Sequence, residues 1–156
     1  MSNVIIGIDP GCSGAIVVLD DCGVYQDSIC MPTVKVGTKS RVNGAAIASF
    51  LRSFDLAESK AFLEQVGAMP GQGVSSMFTF GHAAGVAEGI LQGLFIPYSL
   101  VTPQAWKKTA GLIGSDKDAA RSRAIQLYPS LRILDQKAKG QAVADALLIA
   151  RHGIGA

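Results

Sequence analysis

The chain has 156 residues and a mass of 16.2 kDa, with 49% hydrophobic residues, 17% charged residues and a mean hydropathy of +0.33. This composition excludes a disordered tail and a collagen-like repeat, and the length fits one domain over residues 1–156 that buries about two thirds of its unfolded surface. The net charge of +2 conceals a division: residues 1–34 hold four aspartates and no Lys or Arg, whereas residues 107–139 hold eight basic residues and three acids. Such a division favours a protein that binds a polyanion with one region and holds cations with another.

The sequence predicts neither a membrane span nor a secretory signal. No apolar run reaches the roughly 20 residues of a spanning helix, and the N-terminus lacks the basic start and cleavage site of a signal peptide. We therefore expect no membrane contact and a cytoplasmic location. Cys12, Cys22 and Cys30 lack the paired spacing of zinc sites and are expected to be reduced thiols.

The first third of the chain predicts three antiparallel strands followed by a helix. A buried strand over residues 3–9 ends at Asp9, because Pro10 moves the preceding residue out of the helical region. Turns then lead to strands over residues 15–19 and 24–31. Lys39 and Arg41 fall in a Gly-containing loop, after which Asn43 is expected to cap a helix over residues 43–54.

The remaining chain alternates strands with helices. We expect a strand over residues 61–66 interrupted by Glu64, a loop over 67–73, and a helix over 76–94 whose glycines recur every fourth residue. That glycine stripe favours tight packing on the sheet or on another helix, with a subunit contact or a nucleic-acid backbone as alternatives.

After a strand over residues 98–101, Thr102 and Pro103 predict the start of a helix. Ser115 and Asp118 resemble a capping arrangement for a helix that Pro129 terminates, and a linker then precedes a last helix over 141–151. The order βββαβαβα predicts an α/β fold with a mixed five-stranded sheet, three antiparallel strands and then parallel ones, flanked by helices.

Three acids interrupt apolar segments of this scheme: Asp9, Glu64 and Asp145. An unpaired ionised acid in such a place costs several kcal/mol, and a divalent cation with hard oxygen ligands removes that cost. If the strands that carry Asp9 and Glu64 are parallel neighbours, their carboxylates lie side by side. Singly, each acid is equally well explained by a turn, an ion pair or a cap. Together they favour a two-metal site for phosphoryl transfer, which needs no histidine base.

Five segments resemble the RuvC-type Holliday-junction resolvases, most closely those of the phage, bacterial and plastid branch. They are IIGIDPG (residues 5–11), the apolar strand with Glu64, SSMFTFG (75–81), TPQAWKK (102–108) and ADALLIA (144–150). The resemblance implies an RNase H-like fold and a homodimeric endonuclease that nicks two opposed strands of a four-way DNA junction, using two Mg²⁺ or Mn²⁺ ions per active site. It also implies that Asp9, Glu64 and Asp145 are the metal ligands, and that the setting is a bacterial or phage-infected cell, with an organellar source left open.

One position departs from that family. A fourth ligand, an acid or a histidine, usually precedes the last acid by three or four residues, and this chain has Ala142 and Gln141 there. Gln141 shares a helix face with Asp145 and is a catalytic candidate that offers only a neutral amide oxygen. This leaves open a junction-binding protein with impaired catalysis.

The candidate DNA contacts lie in three groups of residues. Basic residues of the stretch 107–139 can neutralise phosphates, although a solvated helix face is the alternative. The loop and helix start after Glu64 can approach a phosphate backbone, and the basic pair before Asn43 can do the same. The candidates are Lys107, Lys108, Lys117, Arg121, Gln72, Ser75, Ser76, Lys39 and Arg41.

A third interpretation takes residues 7–11 as the phosphate turn of an actin-like or sugar-kinase ATPase. Such folds need a second large lobe, for which 156 residues leave no room, and the chain has no Gly-rich phosphate loop with Lys and Ser or Thr.

Overall fold

The structure is a computed structural model that describes residues 3–155. Its strands are β1 (Val4–Asp9), β2 (Ala15–Asp20), β3 (Tyr25–Cys30), β4 (Thr33–Val36), β5 (Lys39–Val42), β6 (Ser59–Glu64) and β7 (Tyr98–Val101). Its helices are α1 (Gly44–Leu51), α2 (Val74–Gly93), α3 (Pro103–Ala110), α4 (Ala119–Leu127) and α5 (Lys137–Gly153), with a short 3₁₀ helix at Arg132–Asp135. Within the described range, no helix has both the length and the hydropathy that crossing a membrane requires.

Five strands form one sheet in the order β3-β2-β1-β6-β7. The pairs β1–β2 and β2–β3 are antiparallel, whereas β1–β6 and β6–β7 are parallel. The predicted mixed sheet is therefore confirmed. Because β1 lies in the middle, the carboxyl ends of β1 and β6 meet at the centre of one edge of the sheet.

A separate hydrophobic cluster lies between each face of the sheet and the helices that pack on it. On one face α1 and α2 pack against alternate residues of β1 and β2, including Ile6 and Ile16. On the other face α3, α4 and α5 pack against the opposite set, including Val17 and Leu19. The two clusters follow from the period-two alternation of side chains along strands that are buried on both faces.

Helix α5 crosses β1 at close range, and Gly7 makes that approach possible. A Cβ atom at Gly7 would overlap the carbonyl oxygen of Ala146 and the backbone nitrogen of Ala150. The glycine of the Gly-Ile-Asp segment therefore brings α5 down onto the middle of the sheet, beside the end of β1.

Several local expectations are confirmed. The Asn43 side chain accepts a hydrogen bond from the Ala46 N–H at the start of α1. The Thr102 hydroxyl does the same for Ala105 at the start of α3, with Pro103 in the first turn. Both caps follow from short polar side chains that replace missing backbone partners.

Other expectations are wrong in position. Lys39 and Arg41 lie in a β-hairpin, β4–β5, rather than in a loop, and Glu64 ends β6 instead of interrupting a strand. The predicted Ser115–Asp118 cap does not form. The Asp118 N–H donates a hydrogen bond to the Asp116 carboxylate in a local turn, and the Asp118 side chain makes no capping hydrogen bond to α4. The predicted linker before residue 141 is helical from Lys137.

The outer glycines of α2 do not pack tightly within the chain. At Gly81, Gly85, Gly89 and Gly93, a Cβ atom would meet no atom within 4 Å outside the neighbouring backbone of the helix. All four are exposed. The expectation of close packing on the sheet or on another helix of the chain is therefore wrong, because α2 turns Ala83, Ala87 and Leu91 inward and this stripe outward.

Candidate metal and nucleic-acid site

Two of the predicted ligands end neighbouring parallel strands. Asp9 is the last residue of β1 and Glu64 is the last residue of β6, and the register pairs Ile8 with Leu63. Asp9 and Glu64 therefore follow matching positions and stand side by side at the sheet edge. Both side chains are half-buried.

The third acid comes from α5. Asp145 is half-buried between the buried Ala144 and Ala146, on the helix that Gly7 allows to approach β1. The fold thus brings acids from positions 9, 64 and 145 into one region, although they lie far apart in the sequence.

The electrostatics of the three acids show that they affect one another. Burial, followed by the charges of Glu64 and Asp145, raises the pKa of Asp9 from 3.8 to about 7. Burial and the charge of Glu64 raise the pKa of Asp145 to about 6, and burial raises the pKa of Glu64. Mutually repelling, half-buried carboxylates are stabilised by a nearby cation, so the donor set fits a divalent metal ion.

The spacing of these acids is wider than a single tight cluster. Within residues 3–155, only Asp20, Asp21 and Cys22 bring three potential ligand atoms within 4.8 Å of one another. At least one pair of carboxylates among the three candidate acids is therefore further apart than that. The Asp20 carboxylate accepts hydrogen bonds from the N–H groups of Cys22 and Val24, so the tight exposed cluster is a local turn.

Gln141 contacts Asp145, as the spacing of four residues on a helix predicts. Its Nε2 donates to Asp145 Oδ1 at 3.0 Å, and this hydrogen bond lowers the pKa of Asp145. The Gln141 Oε1 atom is buried and has no hydrogen-bond partner. The amide therefore presents a donor to the acid, not the oxygen that the sequence led us to expect.

Two cavities flank the acids. One, of about 410 Å³, is lined by Asp9 together with Gln72, Ser75, Ser76 and Phe80. The other, of about 350 Å³, has a larger lining that includes Glu64, Trp106, Lys107, Lys117, Gln141 and Asp145. The loop and helix start after Glu64 thus share a cavity with Asp9, and two of the basic candidates share one with the other two acids.

The β4–β5 hairpin carries its basic residues to the N-terminal part of α2. Lys39 Nζ donates to Ser75 Oγ at 2.9 Å, and the Arg41 guanidinium lies 5.4 Å from the centre of the Phe78 ring. Phe78 is 63% exposed. Three DNA-contact candidates, Lys39, Arg41 and Ser75, therefore form one surface next to the Asp9 cavity.

The basic residues after α3 do not all face the same way. Lys107 and Lys117 are exposed and line the cavity that contains Glu64, and Lys108 is exposed on the last turn of α3. Arg121 is half-buried and donates to the Leu134 carbonyl at 3.0 Å. Arg121 therefore joins α4 to the 3₁₀ helix rather than pointing freely to solvent.

Sequence reasoning missed one residue of this site. The Trp106 indole N–H donates to Glu64 Oε2 at 2.6 Å, across 42 positions of sequence. In the sequence, Trp106 stands out only as part of the segment TPQAWKK (102–108). The position of Trp106 one turn after the Thr102 cap was the signal that could have indicated a role for it. Its hydrogen bond to Glu64 could not be predicted, because it depends on β6 and β7 being neighbours.

The order and directions of the five strands, with helices on both faces, match the fold of RuvC. Two solved structures of Thermus thermophilus RuvC share it, each with 96% of this chain and 91% of the other chain aligned. RuvC in complex with a Holliday-junction substrate has a TM-score of 0.59 at 15% identity, and a second RuvC structure has a TM-score of 0.58 at 16% identity. No protein-family profile and no curated protein sequence matches the chain.

Proposed function

We propose that this protein is a divalent-metal-dependent endonuclease that resolves four-way DNA junctions by paired symmetric nicks. The observation that carries the proposal is the convergence of Asp9, Glu64 and Asp145 at the ends of β1 and β6 and on α5 of a RuvC-type fold, where burial raises the pKa of all three acids. The Thermus thermophilus RuvC of the same fold is described in complex with a Holliday-junction substrate.

In this proposal Asp9, Glu64 and Asp145 would hold two Mg²⁺ or Mn²⁺ ions. When bound, the ions would supply an activated water and stabilise the leaving oxygen of a phosphodiester. Two ions about 3.5 to 4 Å apart need ligands spread around both, which acids from two strand ends and a helix can supply.

The other side chains of the site would orient the DNA. The exposed Lys107 and Lys117, beside Glu64 and Asp145, would contact phosphates on one side of the acids. Lys39, Arg41 and Ser75 would contact phosphates on the other side, near Asp9. Charge-assisted contacts of this kind position a DNA backbone without reading its sequence. Lys108, Gln72 and Ser76 remain candidates next to them.

Paired nicks need two active sites, and we propose a homodimer formed through the outer face of α2. Open space beside each of the four stripe glycines lets a second helix approach closely, and the exposed Val74 and Phe78 extend the same side of the helix. Close approach compensates for the helical cost of glycine, about 1 kcal/mol per position.

A second candidate is a junction-binding protein with impaired catalysis. The hydrogen bond from the Gln141 amide to Asp145 favours it, because this contact occupies an oxygen of a proposed ligand and adds no negative charge. Such a protein would bind junctions and leave them intact.

The deciding experiment incubates a labelled four-way junction with Mg²⁺ and the wild-type chain, Gln141→Asp or Gln141→Glu. We expect symmetric nicked duplexes from the wild type, and faster cleavage where the added acid reaches the ions. If all three bind junctions but none cleaves with Mg²⁺ or Mn²⁺ on several junction sequences, the nuclease proposal is wrong and the binding protein is supported.

A further inference from the structure

Trp106 is the only tryptophan of the chain and lies against a proposed metal ligand. It is 2% exposed, and its indole N–H donates to Glu64 Oε2 at 2.6 Å. An indole has one hydrogen-bond donor and no acceptor, so this hydrogen bond satisfies the only polar group of the Trp106 side chain.

The fold holds the Trp106 ring firmly. Trp106 belongs to the hydrophobic cluster between the sheet and α5, together with Val101, Leu134 and Ala142. Helix α3 starts directly after β7, where the Thr102 cap fixes its first turn. The register pairs Glu64 with Val101, so the ends of β6 and β7 are aligned. The indole therefore cannot follow Glu64 if that side chain changes rotamer.

A glutamate needs such restraint more than the two aspartates do. Its longer side chain loses more rotamer freedom than that of an aspartate when it is fixed in one conformation. The hydrogen bond occupies one carboxylate oxygen and leaves the other for the cavity that Glu64 shares with Asp145. Hydrogen bonds of this kind orient metal-ligating carboxylates in proteins.

We propose that Trp106 is a positioning residue for Glu64, which fixes one oxygen of the carboxylate so that the other is presented to a metal ion. The inference rests on the proposed function, since it assumes that Glu64 is a ligand. Trp106 touches neither substrate nor ion in this role, and acts only through the glutamate.

Because the chain has one tryptophan, the donor can be removed almost without change of shape. Expression in a tryptophan auxotroph with benzothienylalanine replaces the indole N–H by sulfur and keeps the two fused rings. Trp106→Phe is the second variant, which removes the donor by ordinary mutagenesis. Tyr128→Phe is the matched control, because it deletes another aromatic donor, the hydroxyl that bonds to the Gly23 carbonyl, in the same hydrophobic cluster.

The measurements are Mn²⁺ binding by calorimetry, the thermal midpoint without metal, and the Mg²⁺ dependence of junction cleavage. We expect the benzothienyl protein to bind Mn²⁺ about 10-fold or more weakly than the wild type, with a similar thermal midpoint. Trp106→Phe should show the same loss, and Tyr128→Phe should leave Mn²⁺ affinity unchanged.

Measurements on the wild-type chain distinguish a failure of the positioning role of Trp106 from a failure of the proposed metal-dependent function. If it binds Mn²⁺ and cleaves junctions, and the benzothienyl protein has equal Mn²⁺ affinity, the positioning role is overturned while the nuclease proposal stands. If the wild type binds no Mn²⁺, the metal-dependent function is overturned, and the role of Trp106 with it.

Discussion

The carboxylate of Asp9 gives the sharpest energetic prediction. Its pKa is raised from 3.8 to about 7 by burial and by two neighbouring acids. In the unfolded chain the same group ionises near 3.8, so the unfolded state binds fewer protons than the native state between the two values. The metal-free protein should therefore lose stability as the pH rises from about 4 to about 7, and should lose no more from this group above that range.

The size of this effect follows from the shift. Slightly more than three pKa units at 1.36 kcal/mol each correspond to about 4 kcal/mol at most. Asp9→Asn keeps the shape of the side chain and removes the charge, so in chelator at about pH 8 the variant should be more stable than the wild type by up to this amount. For a chain of this length, the increase in thermal midpoint is about 5 to 15 °C.

The assay is thermal unfolding of the wild type and Asp9→Asn in chelator and in excess Mg²⁺, at about pH 8 and about pH 4. The stability difference should shrink to less than about 1 kcal/mol at the acidic pH, where Asp9 is protonated in the native state and about half protonated in the unfolded chain. Excess Mg²⁺ should stabilise the wild type by about 3 kcal/mol at 100 times the dissociation constant and should stabilise the variant less.

Asp9→Asn should also bind four-way junctions and fail to nick them, because it loses a proposed metal ligand but no basic residue.

If Asp9→Asn is less stable than the wild type in chelator at about pH 8, the argument from burial and repulsion is refuted. Normal nicking by the variant would remove Asp9 from the mechanism.

Two further predictions concern the surfaces around the site. Arg41→Ala should weaken junction binding similarly across DNA sequences and reduce the slope of log K against log salt by about 0.9, measured by fluorescence anisotropy at several salt concentrations. Gly85→Leu should leave the monomer folded, because its Cβ enters open space, but should convert a dimer to monomers in sedimentation velocity.

Each of these surface variants has a matched control in the chain. Arg52, which is exposed directly after α1, is the control for Arg41, and Arg52→Ala should leave the salt slope of junction binding unchanged. Ala45, exposed on α1, serves for Gly85, and Ala45→Leu should leave the dimer intact. An unchanged salt slope for Arg41→Ala would exclude a phosphate contact there, and a Gly85→Leu dimer as stable as the wild type would place the interface elsewhere.

The elements of the sheet were predictable from sequence because their signals are local. Residues 98–101 form β7 as expected, and Asn43 and Thr102 cap their helices, since an apolar run or a capping side chain acts within a few residues. The same holds for Asp9 at the end of β1, where Pro10 follows. The β4–β5 hairpin was missed because each strand has only four residues and β5 has a single apolar residue, Val42, which gives no alternating run.

The amino-acid sequence by itself determined the five strands of the main sheet and most of the helices, and which three acids stand in apolar surroundings. Tertiary structure alone decided that β1 and β6 are neighbours, that Gly7 lets α5 reach them, that the glycines of α2 face outward, and that Trp106 holds Glu64. The reason is physical: local propensities act over a turn or a strand, whereas contacts between distant residues depend on how the whole chain packs its buried faces.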